Sequence, residues 1–386
     1  MKLLKFILPI VALFLLYVII TPQSRVGEKN KDSGKDSVIT VSFCMVGDLM
    51  CHSVQFEYAQ VTKDSFDFKP VYRYVKPFIE SVDFAMGNLE TVLGGGKKFS
   101  GFPFFNSPDE YLEALKYSGF DLLMTSNNHC LDQKKEGLLR TIDKLNENQI
   151  HYVGTFSSQK DRDSIRIYNI KGLEFAVLSY TFSTNGIPLP KGANYTVNML
   201  EEKLLLSDIK RAKEKNPDIV IVYFHWGDEY QRHPNAYQKK FMKISVDNGA
   251  DIILGSHPHV LQPVDFYATK NANLDTGIVA YSLGNFVSNQ RKRYTDSGTI
   301  LNFSITKNIN KDSVYLSNVN FIPTYVFKGN TSNGREYIIL PSEIALKDTL
   351  PDFLSKGDRS YIKQCFNDTK EIITDYSNKI LLKSIQ

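Results

Sequence analysis

The chain has 386 residues, 42% hydrophobic and 23% charged, a composition that excludes a disordered chain, a collagen and a disulfide scaffold. With 46 Lys and Arg against 42 Asp and Glu the formal charge is only +4, which gives no electrostatic case for a nucleic-acid partner. Cys44, Cys51, Cys130 and Cys365 form no Cys-x-x-Cys pair, so neither a zinc ribbon nor a dithiol redox motif is expected.

At the start, Lys2 and Lys5 precede an apolar run from Phe6 to Ile20, the charge order of a targeting segment. The run ends Tyr17-Val18-Ile19-Ile20-Thr21-Pro22 without a small-x-small cleavage pattern. Residues 1–22 therefore read as a retained signal anchor, with a cleaved leader as the alternative. Counted from Leu3 the segment just reaches the ~17–25 residues that a bilayer takes, provided Lys5 snorkels. That predicts one pass through the cell membrane with everything beyond it extracytoplasmic. Residues 23–37, rich in Lys, Asp, Ser, Gly and Asn, read as a polar tether.

From Val38 the chain turns β-branched and apolar, and the run ends in Gly47-Asp48, as when a buried strand delivers a carboxylate to a sheet edge. The same design recurs four times. Asp83–Met86 runs into Gly87-Asn88-Leu89-Glu90, Asp121–Thr125 into Ser126-Asn127-Asn128-His129, Ile219–Phe224 into His225-Trp226-Gly227, and Asp251–Leu254 into Gly255-Ser256-His257-Pro258-His259. Between these runs, residues 109–118, 134–148, 199–215 and 236–248 carry apolar residues at helical spacing. Strands alternating with helices predict an α/β fold, with ligands beyond the strand ends where the polar loops sit. Further on, 298–306 and 314–327 alternate like antiparallel strands, and 358–383 reads as one or two helices.

A lone Asp or His at a strand end is usually a cap or a satisfied hydrogen-bonding group. Here Asp48, Glu90, Asn128, His129, His225, His257 and His259 come from five strand ends predicted to share one edge. Carboxylate, amide oxygen and imidazole without thiolate suit manganese, iron, zinc or magnesium. Two ions ~3.5–4 Å apart bridged by one carboxylate would use about seven such ligands. In an extended His257-Pro258-His259 the two imidazoles would point to the same side, and Pro258 keeps His257 out of helix.

Six segments in order are similar to the bacterial CapA/PgsA family of poly-γ-glutamate capsule synthesis proteins. They are Gly47-Asp48-Leu49-Met50, Asn88-Leu89-Glu90, Asn127-Asn128-His129-Cys130-Leu131-Asp132, His225-Trp226-Gly227-Asp228-Glu229-Tyr230, Gly255-Ser256-His257-Pro258-His259-Val260-Leu261-Gln262 and Ser282-Leu283-Gly284-Asn285-Phe286. The resemblance spans about Val41 to Asn289. It implies a calcineurin-like metallophosphoesterase fold, a four-layer αββα sandwich over 38–330, with 331–386 left as a C-terminal helical extension.

It also implies two divalent ions, manganese, iron or zinc. Asp48 and His259 would hold the first, Glu90 would bridge, and Asn128, His225 and His257 would complete the second. His129 would face the scissile phosphate as general acid or charge stabiliser, oriented by Asp132. Trp226 and Asn285 are the candidate substrate contacts, beside a core role for the first and a loop-shaping role for the second. Arg291-Lys292-Arg293 could meet an anionic polymer or phosphate, or be a solvated turn.

Two departures stand out. Most of the superfamily has Asp-x-His in the first motif, where this chain has Met50, with His52 nearby at a different spacing; and the bridging group is Glu90 in place of Asp. Three functions follow as expectations. The first is a membrane-anchored hydrolase-like protein that helps make, export or anchor a capsule polymer. The second is a non-catalytic accessory subunit binding polymer or synthase partners, and the third a secreted phosphodiesterase or phosphatase.

Overall fold

A strand buried on both faces must be apolar at odd and even positions alike, and Val38–Leu49 shows this. Val41, Phe43 and Met45 enter one core, and Cys44 and Val46 enter another. The computed structural model describes residues 37–96 and 98–385. The expected anchor and nearly all of the tether lie outside them. Among the described residues no helix is long and apolar enough to cross a membrane.

Val38–Leu49 lies inside a nine-stranded sheet. On one side it pairs parallel with Phe84–Leu89, followed by Leu122–Met124 and His151–Val153, all parallel. On the other it pairs antiparallel with Ser297–Asn308, followed by Ser313–Thr331 and Gly334–Pro341. The second sheet is six-stranded, and its centre is Leu173–Thr181, Ile219–His225, Ile252–Ser256 and Thr276–Ala280, all parallel.

The sheets pack face to face. One core joins Val41, Phe43, Met45, Met86 and Leu122 of the first to Phe175, Ile221, Tyr223 and Leu254 of the second. Helices cover the outer faces. Asp109–Tyr117 and Lys134–Glu147 pack Leu112, Leu115, Leu138 and Ile142 on the first sheet. Glu202–Lys213 and Ala236–Asp247 pack Leu205, Ile209 and Phe241 on the second. The layers run helix, sheet, sheet, helix, and the four helices lie where apolar spacing predicts them. Asn235 caps the last through a capping box with Gln238, which satisfies donors that a helix start leaves open.

Residues 331–386 depart from the helical expectation. Gly334–Pro341 is a strand, antiparallel to Ser313–Thr331, and only Lys356–Ile373 is a long helix. Tyr337 and Ile339 face one core and Ile338 and Leu340 another, so the strand is buried on both faces and shows no polar alternation. The segment completes the first sheet, and residues from Ser37 onward form one compact unit.

Parallel strands put all their C-terminal ends on one edge. At the end of Val38–Leu49 the pairing register shifts between Met45 and Leu49. Leu49 thereby takes the face of Cys44 and Val46, and Asp48 is turned toward the second sheet's loops, as bulges re-aim side chains. Gly47 makes this possible: a Cβ there would lie 1.9 Å from the Gly284 carbonyl oxygen, which accepts a 2.9 Å hydrogen bond from the Asp48 amide.

Candidate metal centre

Asp48 and Glu90 end neighbouring strands of the first sheet and are fully buried. Asn88 Nδ2 donates to Asp48 Oδ1 at 2.8 Å. Neither oxygen of Glu90 has a hydrogen-bond partner. Burial first, and then the Asp48 charge, push the Glu90 carboxyl well above the usual range. A buried charge left unpaired costs several kcal/mol, so an acid in this place calls for a cationic partner.

His225 and His257 come from adjacent strand ends of the second sheet. His225 Nε2 lies 2.9 Å from Asn128 Oδ1, 3.2 Å from His257 Nδ1 and 3.6 Å from Glu90 Oε1. Burial, and after it neighbouring histidines, keeps both rings neutral: His225, acted on after burial by His257, falls well below its ordinary value, and His257, acted on after burial by His259, falls to about 3. Four acceptor-type atoms thus converge with at most one imidazole proton among them. Such a donor set suits a divalent cation.

Among the described residues, two groups of ligand atoms lie within 4.8 Å of one another, Glu90 with His225 and His257, and Asp48 with Glu90 and His259. Glu90 belongs to both, the arrangement of a bridging carboxylate. Asn128 joins the first group through its bond to His225. His257 and His259 do not sit in extended backbone as expected. His257 has φ 102° and His259 φ 58°, so a sharp loop, not strand alternation, turns both rings inward. Left-handed φ at two non-glycine residues is strain of the kind found at functional sites.

His129 lies outside both groups. Its Nδ1–H donates to Asp132 Oδ2 at 2.7 Å, and that carboxylate oxygen also accepts from the Phe105 amide. His129 Nε2 faces Asn185 Nδ2 at 3.5 Å, and the Phe105 ring stands edge-on to the imidazole at 4.7 Å. Asn185 also accepts from Asn128 Nδ2. The turn Ser183-Thr184-Asn185-Gly186 carries no motif that marks it in the sequence. Asn88 and Asn127 also reach the site, from inside two of the family-like segments, Asn88 on Asp48 and Asn127 on the Leu89 carbonyl.

Other candidates are placed elsewhere. Trp226 is a correction: it is fully buried, stacks on Phe224 at 4.3 Å and donates to the Tyr281 carbonyl. Side chains alternate along a strand, so Trp226 faces the helix-covered core while His225 faces the site. Asn285 is also fully buried and bonds to His259 and its own loop, so it is not at hand for a substrate. His52 belongs to neither ligand group; its Nδ1 lies 3.2 Å from Gln55 Oε1 and 3.3 Å from the Asn289 amide, and burial lowers its pKa to about 4. Within the basic triplet, Arg291 donates to the Val326 carbonyl and Arg293 pairs with Asp368.

The family model described as "Bacterial capsule synthesis protein PGA_cap" matches residues 42–290. The capsule biosynthesis protein CapA of Bacillus anthracis is 33% identical over 276 residues, 69% of this chain and 64% of that protein, so the chain spans less than two thirds of this relative's length. The PGA biosynthesis protein CapA of Bacillus subtilis is 30% identical over 71% of this chain and 69% of its own length. Among solved structures, the NAD nucleotidase NadN of Haemophilus influenzae overlays with a TM-score of 0.49 at 10% identity, over 91% of this chain and 65% of that one. On the family match and these two relatives, the chain belongs to the PGA_cap family of bacterial capsule synthesis proteins.

Proposed function

We propose that this protein carries a two-ion hydrolase site of the metallophosphoesterase type and takes part in the synthesis, export or anchoring of a capsule polymer of the poly-γ-glutamate type. One observation carries the site reading: neither oxygen of the buried Glu90 has a hydrogen-bond partner, and its Oε1 lies 3.6 Å from His225 Nε2 and 3.9 Å from His259 Nε2, within two histidine-bearing ligand groups. The family and the names of the two relatives support the capsule role.

Asn128, His225, His257 and Glu90 would hold one ion, and Asp48, Glu90 and His259 the other; manganese, iron or zinc suit this donor mixture. Divalent ions there supply Lewis acidity and charge neutralisation for attack on a phosphoryl group. The chain's own contribution is His129. Asp132 fixes its ring through Nδ1, which turns Nε2 toward Asn185 at the site, where it would pass a proton to the departing oxygen. The Phe105 ring, edge-on to the imidazole at 4.7 Å, gives the ring an apolar neighbour.

The positive flank and apolar run of residues 1–22 support a place at the cell membrane with the folded part outside, where an anionic polymer and synthase or export subunits would be met. Met50, in place of an imidazole ligand, favours a second reading, a non-catalytic accessory subunit. The test is hydrolysis of a panel of phosphomonoesters, phosphodiesters and γ-glutamyl amides by the manganese-loaded protein. Turnover that disappears on chelation and in Glu90→Gln supports the enzyme. Bound metal with no turnover on any of the three supports the accessory subunit.

A further inference from the structure

The loss of the first-motif imidazole leaves Asp48, Glu90 and His259 as the described ligands of one ion group, so the orientation of His259 matters more than usual. Two acceptors face its Nδ1: Asn285 Oδ1 at 3.0 Å and Asp48 Oδ2 at 3.1 Å. An imidazole nitrogen flanked by two oxygens carries the proton, which puts the lone pair on Nε2, 3.9 Å from Glu90 Oε1.

The amide of Asn285 is not free to turn. Its Nδ2 donates to the Thr295 carbonyl at 2.7 Å and to Gln290 Oε1 at 3.0 Å. A backbone carbonyl only accepts, so the amide nitrogen must face Thr295 and the oxygen must face His259. Asn285 is also the register partner of Asp48 across a parallel pairing, which brings its side chain to the same sheet edge.

We infer that Asn285 is a positioning residue: its oxygen holds the Nδ1–H of His259, aims Nε2 at the ion site and leaves the Asp48 carboxylate free to act as a ligand. This rests on the reading of Asp48, Glu90 and His259 as an ion site. Without Asn285 the imidazole proton has only Asp48 to bond, and an ion would have to compete with it for that oxygen. Partners that orient a ligating histidine in this way typically change metal affinity by about 10–100-fold.

The test combines nitrogen NMR of the histidine-labelled full chain with zinc titration of wild type, Asn285→Leu and Asn285→Asp. In metal-free wild type, His259 is expected as the Nδ1–H tautomer. Asn285→Leu is expected to weaken one zinc equivalent about 10–100-fold and leave the other unchanged. Asn285→Asp keeps an acceptor for His259 but cannot donate to Thr295, so it is expected to bind the affected zinc equivalent more tightly than the Leu variant does. If the residue merely held its loop, Asp would be as damaging as Leu, and that result overturns the inference.

An Nε2–H tautomer in wild type that binds two zinc ions overturns the role of Asn285 alone. The Nδ1–H tautomer in a folded wild type that takes up no zinc overturns the ion-site reading and leaves the hydrogen bond standing.

Discussion

His225 Nε2 and His257 Nδ1 lie 3.2 Å apart, and at most one of the two can donate to the other. Burial holds both rings neutral, so at most one proton lies between the two nitrogens, with Asn128 Oδ1 beside them. Removing one nitrogen leaves too few donors for a tight site. His257→Ala and His225→Ala are each expected to lower metal occupancy by at least about tenfold, a loss comparable with mutation of a ligand's supporting shell or greater. Zinc titration with a competing chelator measures it, and unchanged affinity in either variant would remove that histidine from the site.

On the proposed function His129 would have a different task. It lies outside both ligand groups and is locked to Asp132. His129→Ala is expected to keep its metal and lose turnover by about 10²–10⁴-fold, the usual worth of a positioned general acid. Asp132→Asn should lose less, because the imidazole remains. Loss of metal from His129→Ala as complete as from His257→Ala would contradict this division of labour.

A stability prediction concerns a buried ion pair far from the chemistry. Arg162 donates to both oxygens of Asp208, at 3.2 and 2.6 Å, and Tyr180 Oη donates to the same carboxylate at 2.8 Å. Asp208→Ala strands a buried guanidinium and a phenol, which costs about 3–5 kcal/mol. Denaturant unfolding reads this directly, and a cost under about 1 kcal/mol, the level of an exposed pair, would show that the pair is solvated.

Asp251 gives a pH signature. Burial pushes its carboxyl up to about 6 although it accepts from the amides of Leu274, Val220 and Asn273. In the unfolded chain an aspartate titrates near ~3.9. The folded state therefore binds this proton more tightly, and the stabilisation is full below that lower value and lost as pH rises through about 6. The loss amounts to about 3 kcal/mol. Asp251→Asn is expected to remove this part of the slope when unfolding free energies at acid and neutral pH are compared, and an unchanged slope would assign it to other groups.

Much of the layout was legible in the sequence because each site residue ends a strand that is apolar on both faces, and such runs stop abruptly at a polar loop. Asp48 behind Gly47 is an example: the glycine is required by the Gly284 carbonyl pressed against it. Gly334–Pro341 was not legible. A strand buried on both faces has no alternation, and its place as the partner of Ser313–Thr331 depends on a long-range pairing. Trp226 could have been placed by period two alone, since it follows His225 and must face the other way. The left-handed backbone of His257 and His259 has no sequence signal, and Asn185 reaches the site only through the fold.

The central claim is one centre in which Glu90 serves two ions. Elemental analysis of the purified protein after reconstitution with manganese, zinc and iron, set beside Glu90→Gln, tests it most directly. Two equivalents per chain are expected in wild type, with both weakened in the variant because the carboxylate belongs to both ligand groups. A folded wild type that retains no ion, or a Glu90→Gln variant that keeps two, would contradict it.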